Sequence, residues 1–239
     1  MVPLMPQTPL LADVDPRDIA ESLKTGDLLF FSGRGLASDV VRMFTRSYWS
    51  HIGIVVRLRG VSEPLVLEST TLSDSNDLMQ GRPVSGIGMV PFSNKIAEYQ
   101  GDVALRRFSG PSLTQQKIRM VERLALRLCH RPYKNYVLCH LRGYLTGYPG
   151  KDYSAMFCSE LVAEMYRRIG WLAREIKPNS FVPGHFASDN FPLTGGRLEN
   201  MVRLKQTERE LPLLPAGDVT LSVDASAVLQ KTSTVWAGT

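Results

Sequence analysis

Apolar residues in this chain fall in short runs separated by stretches rich in Gly, Pro, Ser and Asn. DLLFF (27–31) reads as a buried strand, and HIGIVVRL (51–58), dense in β-branched residues, as a central one. LVLEST (65–70) follows across the RGVSEP loop, so the two runs predict a hairpin. IGMVPF (87–92) and VALRRF (103–108) add two strands, and RLENMVRLKQ is the candidate for a last one. The polar, Gly-rich stretch 72–86 and the Pro- and Asn-punctuated KPNSFVPGHFASDNF predict loops.

Helical spacing occupies other segments. Asp15 and Pro16 suit the cap and first turn of a short helix over about 16–24, which Thr25-Gly26 ends. ASDVVRMFTRS places Val40, Val41 and Phe44 on one face with Ser38 as cap, and SNKIAEY is a short helix capped by Ser93. Ile118, Val121, Ala125 and Leu128 form one stripe of a helix over 113–130. FCSELVAEMYRRIG (157–170) is a second strong helix, stopped by Gly170. Between these two, YKNYVLCHLRGYLTGYPGKDYS is aromatic and irregular.

The 239 residues suffice for one sizeable core. The organisation expected is an extended Pro-rich arm over 1–14, a single domain over 15–206, and a tail over 207–239. The tail is rich in Ser, Thr, Ala and Pro and should be extended or partly disordered, a segment suited to binding a protein partner. No apolar run approaches the ~20 residues of a membrane span. The N-terminus lacks a basic region followed by a long apolar one, so a cytoplasmic setting is expected. The net charge of +5, with a pI near 9.2, favours an anionic membrane or polymer surface as partner. Part of that charge recurs as Arg119, Arg123 and Arg127, which reads as a solvated helix face. No aromatic-interleaved basic motif points to specific nucleic-acid binding.

Candidate chemistry starts from the cysteines. Cys129, Cys139 and Cys158 are odd in number and include no C-x-x-C pair, and the four histidines lack H-x-x-x-H spacing. Neither a disulfide framework, a metal site nor a cofactor is expected. Cys129 and Cys139 lie among Leu and Val and read as small buried hydrophobes. Cys158 differs: it falls in the first turn of a helix, behind the capping candidates Asp152 and Ser154. A helix N-terminus stabilises a thiolate through its partial positive charge and free N–H groups. A thiolate nucleophile needs a base, and His51, at the start of a strand, is the candidate. Glu68, one strand later, would orient it: in an antiparallel hairpin both fall near the end away from the turn, within reach though not directly opposite.

GDLLFF, SHIGIVV, VLES, RPY and FCSELV, in this order, resemble the circularly permuted papain-like hydrolases of the NlpC superfamily, the YiiX-like amidase group. A more distant similarity is to the lecithin:retinol acyltransferase-like proteins. The resemblance spans about residues 24–192 and places the histidine first, then a carboxylate, then the cysteine. It implies an α+β permuted papain-like fold in which an antiparallel sheet packs against helices, among them the one bearing the cysteine. It also implies roles: Cys158 as nucleophile, His51 as general base and then acid, Glu68 as its orienting group. The Cys158 N–H and the Tyr133 hydroxyl would serve the oxyanion, with Tyr136 close by and the Pro132-Tyr133 pair equally readable as a helix-ending turn. Glu160 is better suited to the helix terminus than to chemistry, while Ser50 and Ser159 are candidate supports. The group has bacterial and viral members.

The reading favoured is a cysteine hydrolase that cleaves peptide or isopeptide amide bonds through a Cys-His-Glu triad and a thioester. The alternatives are a lipid-directed thiol acyltransferase or phospholipase at a membrane surface, and a catalytically silent protein of the same fold.

Overall fold

The computed structural model describes residues 7–34, 36–71, 73–131 and 157–207. Seven strands form one sheet in the order β1-β9-β6-β2-β3-β4-β5. They are β1 (Ala12–Asp13), β2 (Leu28–Gly33), β3 (His51–Val56), β4 (Leu65–Thr70), β5 (Gly86–Pro91), β6 (Gly101–Arg106) and β9 (Val202–Lys205). All neighbours are antiparallel except β1, which lies parallel to β9. The predicted hairpin is β3–β4, with Ile54 opposite Leu67 and Val56 opposite Leu65. The short strands β7 (Phe108–Ser109) and β8 (Arg197–Leu198) pair apart from the main sheet.

The central strands read as nearly unbroken apolar runs because both faces of the sheet are covered. Leu28, Phe30, Ile52, Ile54, Leu65 and Leu67 point to a core shared with α4 (Gln115–Leu128) and α5 (Cys158–Ile169). Leu29, Phe31, Val55 and Val66 point to a second core under α3 (Phe92–Glu98). Each such side chain contributes roughly 1.5–3 kcal/mol by leaving water. On α4, Val121, Ala125 and Leu128 are buried, and Arg119, Arg123 and Arg127 are exposed as expected of the opposite face.

The Gly26-Asp27 pair that precedes β2 has a definite task. Gly26 adopts φ +108, and a Cβ there would stand 2.3 Å from the Trp171 ring. Its carbonyl accepts from the buried Tyr166 hydroxyl of α5 at 2.6 Å. The Asp27 carboxylate accepts from the amides of Lys24 (2.9 Å) and Phe108 (3.1 Å), tying the start of β2 to the turn before it and to the chain leaving β6. This turn thus clamps α5 to the sheet.

Several predicted boundaries shift. The first helix is α1 (Pro16–Ile19), capped by Asp15, followed by a 3-10 turn over Ala20–Ser22. The helix α2 (Leu36–Thr45) starts before Ser38, so Ser38 is not its cap. Nor does Ser93 cap α3, which begins at Phe92 directly after β5. The Ser93 amide is satisfied instead by the Glu63 carboxylate at 2.8 Å, a partner that sequence proximity cannot reveal. The 177–191 loop contains α6 (Pro183–Ala187), a single turn that buries Phe186 and is too short to show a periodicity.

Candidate active site

His51 is the first residue of β3, and Glu68 lies near the end of β4. The β3–β4 ladder stops at Ile54 and Leu67, so one step further Gly53 would face Glu68, with His51 on the same side of the sheet. Gly53 leaves the space these two need: a Cβ there would lie 2.8 Å from Val66 Cγ1 and 3.6 Å from Glu68 Cβ. The result is a contact on the diagonal, His51 Nε2 to Glu68 Oε2 at 2.9 Å, with Glu68 1% exposed.

Cys158 opens α5 on the other face of the sheet. Its sulfur meets His51 where β3 and β4 have ceased to pair. The Ile52 amide lies beyond the last β3–β4 pair and hydrogen-bonds the sulfur, as do the Ser159 amide and the His51 ring. Because Nε2 is engaged by Glu68, Nδ1 is the nitrogen left for the sulfur. A strand start, a splayed hairpin end and a helix N-terminus therefore converge on three side chains.

The electrostatics follow from this packing. Burial pushes the Cys158 thiol up, but the His51 charge and the hydrogen bonds from His51, Ile52 and Ser159 pull it below the ordinary value. Burial alone would depress His51; the Cys158 thiolate and Glu68 outweigh it and raise the imidazole to about 9. Glu68 is likewise pushed up by burial, yet Lys95 and His51 hold it at about 2. These directions favour a thiolate–imidazolium pair beside an ionised carboxylate. Cys129 is the contrast: burial, with Asp77 nearby, pushes its thiol up to about 12.

The supporting serines have structural partners. Ser50 Oγ donates to the Phe31 carbonyl and accepts from the Gly33 amide, both at 3.3 Å, which fixes the start of β3 against β2. Ser159 Oγ donates to the Phe181 carbonyl at 2.7 Å. Glu160 does serve the helix terminus, accepting from the Phe157 amide at 3.3 Å. Tyr133, Tyr136, Cys139, Asp152 and Ser154 lie outside the described residues.

Two residues of the site escaped the sequence. Lys95 Nζ donates to Glu68 Oε1 at 2.7 Å, and Ser73 Oγ donates to the same oxygen at 3.2 Å. A signal for Lys95 was present: it shares the buried stripe of α3 with Phe92 and Ile96, where a solvated lysine has no place. Ser73 had none, since loop geometry alone brings it in. Among the described residues no group of three or more His, Cys, Asp or Glu side chains could hold a metal ion. No helix among them is long and apolar enough to cross a membrane.

The model of the permuted papain-like amidase enzymes, the YaeF/YiiX or C92 family, matches residues 22–181, which include His51, Glu68 and Cys158. The chain belongs to this family. As a permuted papain-like amidase it falls among the hydrolases, and its mixed α+β architecture, a largely antiparallel sheet packed with helices, is the one expected of that family. The crystal structure of the metalloprotein yiiX from Escherichia coli O157:H7 (DUF1105) is similar over 78% of this chain and 98% of its own, at 17% identity and a TM-score of 0.44. No curated protein matches.

Proposed function

We propose that this permuted papain-like amidase is a cysteine hydrolase that cleaves amide bonds, peptide or isopeptide, with Cys158 as nucleophile, His51 as proton carrier and Glu68 as the group that orients it. The observation that carries this reading is the simultaneous engagement of the His51 ring by the Cys158 sulfur and by the Glu68 carboxylate, 2.9 Å away. The Cys158 thiolate adds to the substrate carbonyl carbon, and the carbonyl π pair moves onto oxygen. The resulting oxyanion lies near the start of α5, where the Cys158 N–H and the Tyr133 hydroxyl are the proposed donors. As the tetrahedral adduct collapses, the C–N bond breaks and the imidazolium passes its Nδ1 proton to the departing amine. A thioester remains. His51, now neutral, takes a proton from water as that water attacks; the C–S bond breaks and the thiolate–imidazolium pair is restored.

Iodoacetamide at about pH 6 tests the first requirement, because only a thiolate is reactive there. Cys158 should be alkylated far faster than Cys129 or Cys139, and Cys158→Ser should remove the fast site. Equal, slow labelling of all three overturns the nucleophile. Hydrolysis of N-acyl peptides set against acyl-phospholipid vesicles then decides the substrate. Cleavage of the lipid alone would replace the amide reading with the lipid-directed one, and reactive Cys158 without turnover of either would favour a silent relative.

A further inference from the structure

Glu68 is held by more than the histidine. Oε2 faces His51, while Oε1 accepts from Lys95 at 2.7 Å and Ser73 at 3.2 Å. Lys95 is 2% exposed. Its ammonium lies 5.2 Å from the Phe31 ring centre and 5.3 Å from that of Tyr99. Burying an ammonium is costly, and a buried ion pair is often no more stabilising than apolar residues of the same volume. A methionine would complete the Phe92–Ile96 stripe equally well. The charge at position 95 therefore calls for a reason other than packing.

The reaction supplies one. In the resting site Glu68 faces two cations, Lys95 and the imidazolium. Once His51 has given its proton to the leaving amine, only Lys95 is charged. Without it, a carboxylate buried in apolar surroundings against a neutral ring would take up a proton. A protonated Glu68 can donate to Nε2, which would turn His51 into the tautomer whose proton sits on Nδ1. That nitrogen could then no longer accept a proton from water.

We propose that Lys95 is a positioning residue: its ammonium, 2.7 Å from Oε1, keeps Glu68 an ionised acceptor while His51 is charged and while it is neutral, and so holds Nε2–H toward Glu68 and Nδ1 toward Cys158. This rests on the Cys158–His51–Glu68 reading above. Lys95 is also foremost among the groups that offset the burial of Glu68. The other titratable groups around the pair are His51 from β3, Tyr99 after α3 and Cys158 from α5. Asp74, Arg42 and Asp102 act on Tyr99. Asp77 borders Gly88, the residue opposite Glu68, and is occupied by three amides and His130.

The test is the pH profile of Cys158 alkylation by iodoacetamide in the full chain, read by mass spectrometry with circular dichroism confirming the fold at each pH. The variants are Lys95→Met, Lys95→Gln, Lys95→Arg, Glu68→Gln and the Lys95→Met/Glu68→Gln double. An opposite charge at this distance moves a carboxyl by about 1–3 pH units, which would take Glu68 from about 2 to about 3–5, so either neutral Lys95 variant should lose up to ~10-fold of the wild-type rate near about pH 4 and recover it above about pH 6. Lys95→Arg should follow the wild type, and Glu68→Gln in the double variant should abolish the new acid limb. If both neutral variants track the wild type while Glu68→Gln departs from it, the role of Lys95 is overturned and Glu68 stands. If Glu68→Gln itself superimposes on the wild type, the orienting role of Glu68 fails, and that of Lys95 fails with it.

Discussion

Replacing Glu68 by Gln should flatten the acid side of the stability curve. The ordinary carboxyl value of 4.5 falls to about 2 in the folded protein: burial opposes the fall, and Lys95 and His51 together overcome it. A folded-state value below the unfolded one means that the unfolded chain binds the extra proton, so stability rises with pH through this window. The contribution is fully present above 4.5 and is lost as pH drops toward 2. At ~1.4 kcal/mol per unit, the shift corresponds to about 3 kcal/mol. Urea unfolding, followed through the buried Trp49 and Trp171, measures it. The gap between wild type and Glu68→Gln should shrink by about 3 kcal/mol from near neutral pH to about pH 2. The comparison cancels carboxylates common to both proteins, such as Asp15, which its Arg17 hydrogen bonds also hold at about 2. A gap that stays constant across the range would refute the claim that Glu68 is ionised and paired in the fold.

Other outcomes follow from the same contacts. Gly53→Val should push Val66 and Glu68 apart, costing about 1–3 kcal/mol in urea unfolding and lowering the selectivity of Cys158 alkylation. Retained selectivity would show that the space at Gly53 is not needed. Tyr166→Phe removes the 2.6 Å bond to the Gly26 carbonyl and should cost ~1–3 kcal/mol, because that carbonyl is left buried without its donor. With a substrate in hand, the rate of acyl-enzyme formation should decline as pH rises through about 9, where His51 loses the proton destined for the leaving amine. A rate still climbing well above that value would remove His51 as the acid.

The site was legible to the extent that its members sit at marked positions. His51 begins an apolar β-branched run, Cys158 begins an amphipathic helix, and Glu68 is a carboxylate inside a strand, so residue type and element boundary coincide at each. Lys95 carries only a weak mark, its place in the stripe of Phe92 and Ile96, because a helix of seven residues repeats that stripe too few times to set one charged position apart. The caps at Ser38 and Ser93 were misplaced because helix starts depend on how the preceding strand ends. For Ser93, a distant side chain, Glu63, does the capping.

Local pattern by itself determined the five central strands, the two long helices and the His-then-Glu-then-Cys order, since periodicity and turn residues act over a few positions. Only the tertiary structure decided that Cys158 and His51, which start on opposite faces of the sheet, meet at all. They do so because the β3–β4 ladder ends at Ile54 and Leu67, leaving the Ile52 amide to the sulfur and Gly53 as the space beside Glu68. Where a ladder stops depends on what packs above and below it, and that is a property of the whole fold.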